Sequence, residues 1–192
     1  MTTTKDDVIA LPHPDLRKRS KKVGLITPEI QQIVKNMEDA TISWDHSRDH
    51  EVGVALAAIQ IDKLFRIVVV RNNYDNKEDT SFTAFINPLI TKLEGAIEED
   101  FEGCLSVKDI YGKVPRYTKV RIKALDQNGH EFRVTAEGFL ARIFQHEIDH
   151  TNGILFIDHI KNNAAAFYKL TTDGSLEQLD YDKYIRDSSI LW

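Results

Sequence analysis

Apolar residues recur along this chain at two spacings. Ile30, Ile33, Val34, Met37, Thr41 and Trp44 lie on one helical stripe. Thr27 caps it, Pro28 sits in its first turn, and it runs out near residues 45–50. Residues 65–71 are rich in β-branched types and predict a strand, followed by a polar loop over 72–81. Residues 83–87 and 89–93 read as extended segments with a bend or an edge at Pro88. Charge alternates with apolar residues over 119–125, a half-exposed strand that Gln127-Asn128-Gly129 turns back into 130–136. Helical spacing returns with Phe139, Leu140, Ile143, Phe144 and Ile148, so a buried helix is expected over about 137–151, stopped by Gly153.

The remaining stretches carry weaker patterns. Residues 1–10 read as a loose start, and Pro12 and Pro14 predict an extended arm rather than a helix. Residues 53–60 are small and apolar, as in a tight core strand or a turn that lets another backbone approach. Residues 154–157 form a short apolar run. Residues 164–170 fit helix or strand, Asp173-Gly174 marks a turn, and 181–192 fit a short helix or a docked tail. No repeat or linker divides the chain. The expectation is one domain over residues 1–192, with a tail of undefined structure from about 165.

Composition narrows the function classes. The chain has 192 residues, 42% hydrophobic and 29% charged, which is enough for one real core. A net charge of -5 argues against a dedicated nucleic-acid site. Lys18, Arg19, Lys21 and Lys22 form a local basic cluster, read first as a solvated loop and second as a transient ribosome contact. No apolar run reaches the ~20 residues of a membrane helix, and the polar N-terminus lacks a secretory pattern. A cytoplasmic setting is therefore expected, with an organellar one left open. The single cysteine, Cys104, rules out an intrachain disulfide and leaves a small hydrophobe, a ligand or a nucleophile.

Gln145-His146-Glu147-Ile148-Asp149-His150 carries the strongest chemistry. Two histidines four apart share a helix face and can converge on one metal ion. Glu147 then stands where it can take a proton from a metal-bound water. With this motif on the second helix, the fold expected is α+β: antiparallel strands packed around a central metal-binding helix, with an N-terminal helix. A catalytic site needs a third protein ligand. Cys104 leads, and His159 and Asp158 are rivals. Phe156 stands where a metzincin-type protease would carry its third histidine, which argues against that class. A second pair, His46 and His50, lies among polar loop residues and reads as surface.

Three segments together resemble the peptide deformylases: residues 53–60 (Gly-Val-Ala-Leu-Ala-Ala-Ile-Gln), 102–106 (Glu-Gly-Cys-Leu-Ser) and 145–150. Their order and spacing fit, as do Val114-Pro115-Arg116 and the residues from Asn152 to Asp158. The likeness runs from about residue 9 to 160. It implies an enzyme that removes the N-formyl group from the starting methionine of nascent peptides and releases formate. It also implies one divalent ion on Cys104, His146 and His150, Fe(2+) first, with Zn, Ni or Co fitting the same donors. Metal-bound water would be the nucleophile and Glu147 the general base and acid. Gln60 and the backbone N–H of Leu105 would hold the oxyanion. Val54, Ala55 and Gly103 would grip the peptide as an added strand, with Phe139 and Ile143 walling the methionine pocket. Arg116 is expected to pair with Glu102 or Asp149 in support. Departures from the pattern are Lys108, Thr151, Tyr111 and Ala55. Ala55 replaces a glycine, at a cost of roughly 1 kcal/mol if its φ is positive.

Overall fold

Residues 67–70 are apolar without interruption because their strand is covered on both faces. Ile67 and Val69 point to one helix, while Val68 and Val70 point to another. The computed structural model describes residues 3–45, 52–76 and 78–192. His46 and His50 lie outside the described residues.

Helix α1 spans Pro28–Asp45. Thr27 Oγ1 accepts from the Ile30 N–H at 3.4 Å, and Ile30, Ile33, Val34, Met37 and Ala40 bury one stripe. That stripe packs on Leu56, Val69, Ala84 and Ile86. These belong to β1 (Ala55–Ala57), β2 (Ile67–Arg71) and β3 (Phe82–Cys104), each antiparallel to the next. The opposite face receives Ala141, Ile143, Phe144 and Ile148 of α2 (Gly138–His150). The two helices thus sandwich this part of the sheet rather than sharing one side of it.

The extended segments expected on either side of Pro88 are one long strand, β3. Asn87 takes a left-handed φ of 54° and the pairing shifts register between Ile86 and Leu89. Asparagine tolerates that conformation, and a bulge accommodates the N–H that proline lacks. β3 pairs along its length with β4 (Val107–Leu125), which also pairs with β5 (Glu131–Glu137). Asp126 Oδ1 accepts from the backbone N–H of Asn128 and His130 and fixes the turn between β4 and β5.

The start and end of the chain are more ordered than their sequences suggest. Pro14–Arg17 is a 3-10 turn, not an extended arm, because Pro14 presets its first φ and His13 Nδ1 accepts from the Asp15 N–H. Lys5–Asp7 is another such turn. After α3 (Phe156–Ile160), residues 164–170 divide between a 3-10 turn and β6 (Phe167–Leu170). Asp173 and Gly174 turn β6 into β7 (Leu176–Gln178), and α4 (Tyr181–Tyr184) follows. Ile185 and Leu191 are buried, so the tail is docked. Among the described residues, no helix is long and apolar enough to cross a membrane.

Candidate metal centre and active site

Elements from three parts of the chain meet at one cavity of about 390 Å3. The end of β3 brings Glu102, Gly103 and Cys104. The turn Ala58–Ile61 brings Gln60, and α2 brings His146, Glu147 and His150. Cys104 Sγ lies 3.2 Å from His150 Nε2, which lies 3.2 Å from His146 Nε2. Metal–donor bonds of about 2.0–2.3 Å would set tetrahedral donors roughly 3.3–3.5 Å apart. The three atoms therefore fit one small divalent ion, and a thiolate with two imidazoles suits a borderline-soft transition metal. The other candidate ligands are engaged elsewhere. Asp158 pairs with Arg17 at 2.5 Å, and His159 contacts Asp149 at 2.7 Å and Arg116 at 3.2 Å. Among the described residues, His13, Asp15 and Asp62 also group, at the surface. There His13 Nδ1 already accepts a backbone N–H, and Asp15 pairs with Lys18.

The three candidate donors are held from behind. His146 Nδ1 lies 2.9 Å from Glu102 Oε2, which leaves Nε2 facing Cys104 and His150. Glu102 is in turn gripped by Arg116, through Nε at 2.9 Å and Nη2 at 3.1 Å, and by Arg142 Nη1 at 2.8 Å. Arg116 Nη1 also reaches Asp149 Oδ2 at 2.6 Å. Burial opposes the charge on Glu102, but hydrogen bonds from His146 and Arg116 outweigh it and hold its carboxyl well below the usual range. Burial likewise opposes charge on His146, yet Cys104 and Glu102 raise its pKa well above the ordinary value. Burial and the neighbouring His146 push His150 well below it.

Glu147 faces the same cavity. Burial raises its pKa from 4.5 to about 7, against the pull of His146, and its Oε2 is buried without a hydrogen-bond partner. Gln60 Oε1 accepts from the Ala57 N–H at 2.9 Å. That fixes its amide so that Nε2 points to Ser106 Oγ at 3.2 Å and Cys104 Sγ at 3.6 Å. Val54, Ala55, Gly103, Leu105, Phe139 and Ile143 all line the cavity. Ala55 is in β1 and is not among the residues with positive φ, so the strain considered for it does not arise. Phe139 is 48% exposed and stands at the cavity mouth, not in the core.

Several contributors escape a reading of the sequence. Arg142 donates to the Val114, Glu98 and Asp100 carbonyls as well as to Glu102, tying α2 to β3 and β4. Its signal was an arginine set inside an apolar helical stripe, where a buried cation must find acceptors. Trp44, Tyr74 and Phe101 also line the cavity, from elements distant in sequence. The entry to β1 is set by Arg71, which is ion-paired with Asp45 and donates to the Gly53 carbonyl at 3.1 Å. A side chain at position 53 would bring its Cβ to 2.8 Å from Thr41, so only glycine fits there.

Comparison with known proteins gives one consistent answer. The family described as Polypeptide deformylase matches residues 5–166. A peptide deformylase of Halothermothrix orenii is 44% identical over 147 residues, 77% of this chain and 88% of that protein. Peptide deformylase 2 of Clostridium acetobutylicum is 41% identical over 143 residues, 74% of this chain and 87% of that one. The crystal structure of a peptide deformylase from Legionella pneumophila superposes with a TM-score of 0.72 at 35% identity, covering 83% of this chain and 86% of its own. Strands β1 to β5, the helices α1 and α2 and the three motif segments all fall within the matched span, and the chain belongs to the peptide deformylase family.

Proposed function

We propose that this enzyme hydrolyses the N-formyl group from the starting methionine of newly made polypeptides, releasing formate, at one divalent ion held by Cys104, His146 and His150. The observation that carries the reading is the convergence of those three donor atoms beside the buried Glu147 carboxyl in a cavity open to a peptide. Fe(2+) is the favoured ion. Zn, Ni and Co suit the same donors. When bound, the ion supplies Lewis acidity toward water and the formyl oxygen.

The chain supplies the rest. Glu147 takes the proton of the attacking water and returns it to the leaving amine, a role suited to a carboxyl that burial pushes above its ordinary range. Gln60 Nε2 and the Leu105 backbone N–H stabilise the charge that develops on the formyl oxygen. Glu102 fixes the tautomer and ring orientation of His146, with Arg116 and Asp149 behind it. Backbone groups of Val54, Ala55 and Gly103 hold the peptide in extended form, and Phe139 and Ile143 wall the methionine side chain. In this reading residues 1–192 form one catalytic domain built around a metal-binding helix, working in the cytoplasm. The exposed Lys18, Arg19, Lys21 and Lys22 would make a transient ribosome contact.

The test is metal content together with formate release from a formyl-methionyl peptide, on anaerobically purified protein. One equivalent of ion and formate release that stops on chelation are expected. A fully loaded protein that releases no formate would overturn the proposal.

A further inference from the structure

The C-terminal hairpin lies past the matched span, yet it reaches the cavity wall. β6 adds to β4 in the register Tyr111↔Tyr168 and Gly112↔Phe167. On the next strand over, Phe101 is paired with Lys113 and Gly103 with Tyr111. The Tyr168 ring meets the Phe101 ring edge-to-face at 4.9 Å. The Lys113 ammonium lies 5.2 Å from the Phe101 centroid and 5.8 Å from that of Tyr168. Phe101 and Tyr111 both line the cavity that holds Cys104 and Glu147. The Tyr111 ring covers Gly103 so closely that a Cβ there would come within 2.6 Å of it. One wall of the cleft is therefore two aromatic rings, and one of them is braced by a residue outside the span matched to the family.

We propose that Tyr168 is a positioning residue for substrate specificity: through Phe101 it sets the cleft wall that receives the side chains following the formyl-methionine, favouring apolar ones. The inference rests on the proposed deformylation, but it concerns a different part of the substrate. β6 is anchored independently of the wall, since Phe167 is fully buried among Val114, Phe156 and Ile185. Removing the Tyr168 ring should thus free Phe101 without undocking the strand. Phe101 would then sample other rotamers, and the wall would lose its fixed shape. In the proposed reaction the formyl group and the methionine side chain fall to other residues, so their handling should not change.

The experiment uses the full-length, metal-loaded enzyme and two substrates, formyl-methionine amide and formyl-Met-Leu-Phe. Wild-type turnover of the first tests the proposed activity by itself. Tyr168→Ala should raise KM for the tripeptide about threefold to tenfold, the range set by loss of one aromatic pair. It should leave kcat, and both constants for the amide, within twofold. Tyr168→Phe keeps the ring edge and should restore the wild-type KM. Phe101→Leu, which alters the wall from the cleft side, should raise the tripeptide KM by at least as much, even if Tyr168→Ala folds poorly. An unchanged tripeptide KM in Phe101→Leu, or an equal loss on both substrates in Tyr168→Ala, would overturn the assignment.

Discussion

Glu147 shows how burial and chemistry are coupled at one residue. Its carboxyl is raised from 4.5 to about 7 by burial, and among the described residues no other group in the cavity combines that position with an unpartnered oxygen. Glu147→Ala should keep the ion, because none of the three ligands changes, and should lower formate release by about 10²–10⁴. Unchanged turnover would remove Glu147 as the base. The same shift has a stability sign in the ion-free chain. A carboxyl whose folded pKa exceeds its unfolded one contributes in full below about 4.5, and that contribution is lost as pH rises through about 7. The ion-free protein should therefore lose up to about 3 kcal/mol from this group between pH 5 and pH 8. Glu147→Gln should abolish that part of the pH slope in urea denaturation, and an identical slope in the variant would contradict the account. Glu102 acts differently, through His146. Glu102→Gln, which removes the one carboxylate that Arg116 and Arg142 share, should weaken metal affinity about 10–100-fold in chelator competition.

Among the elements, α2 is the one whose end conditions matter most to the site. Gly153 takes φ 76° just past its C-terminus, with its N–H on the His150 carbonyl at 3.0 Å. A Cβ there would also lie 2.5 Å from the Arg17 carbonyl oxygen. Gly153→Ala meets both strain and a backbone clash, so it should cost more than about 1 kcal/mol in urea denaturation. It should also loosen the turn that seats His150, visible as weaker metal retention. The helix and its stop could be read from sequence because local periodicity and a terminal glycine encode them. Likewise α1 was legible from Thr27, Pro28 and the stripe from Ile30 to Met37. β3 and β4 were not legible as single long strands, because bulges at Asn87 and elsewhere break the alternation that marks a strand. The Pro14–Arg17 turn was hidden because proline disfavours helix before it while permitting one after it. At the site, the motif residues were visible as short spacings. Arg142, Phe101 and Tyr168 were not, since their roles depend on partners brought in by sheet pairing.

At the scale of the whole molecule, three apolar clusters among the described residues divide the labour. Two of them lie on either side of β1 to β3 and build the frame. The third joins β4, α3 and the C-terminal tail, and Leu11 and Cys104 pack against it. Arg17 locks this arrangement by bonding Asp158 and the Leu191 carbonyl at once, at 2.5 and 2.8 Å, while Trp192 Nε1 donates to the Ile185 carbonyl. The tail therefore completes the apolar cluster against which Cys104 packs, though none of its residues lines the cavity. Ile185 has no exposed surface, and Ile185→Ala should leave a cavity costing about 2–5 kcal/mol in urea denaturation. Because that cluster reaches Cys104, the variant should also release its metal to a chelator faster, while Val54 and Ala55, which pack in a different cluster, stay as they are. KM for formyl-methionine amide should then hold within twofold in the metal-saturated enzyme. A destabilised variant that keeps its ion as long as wild type would show that the tail stabilises the fold without reaching the centre.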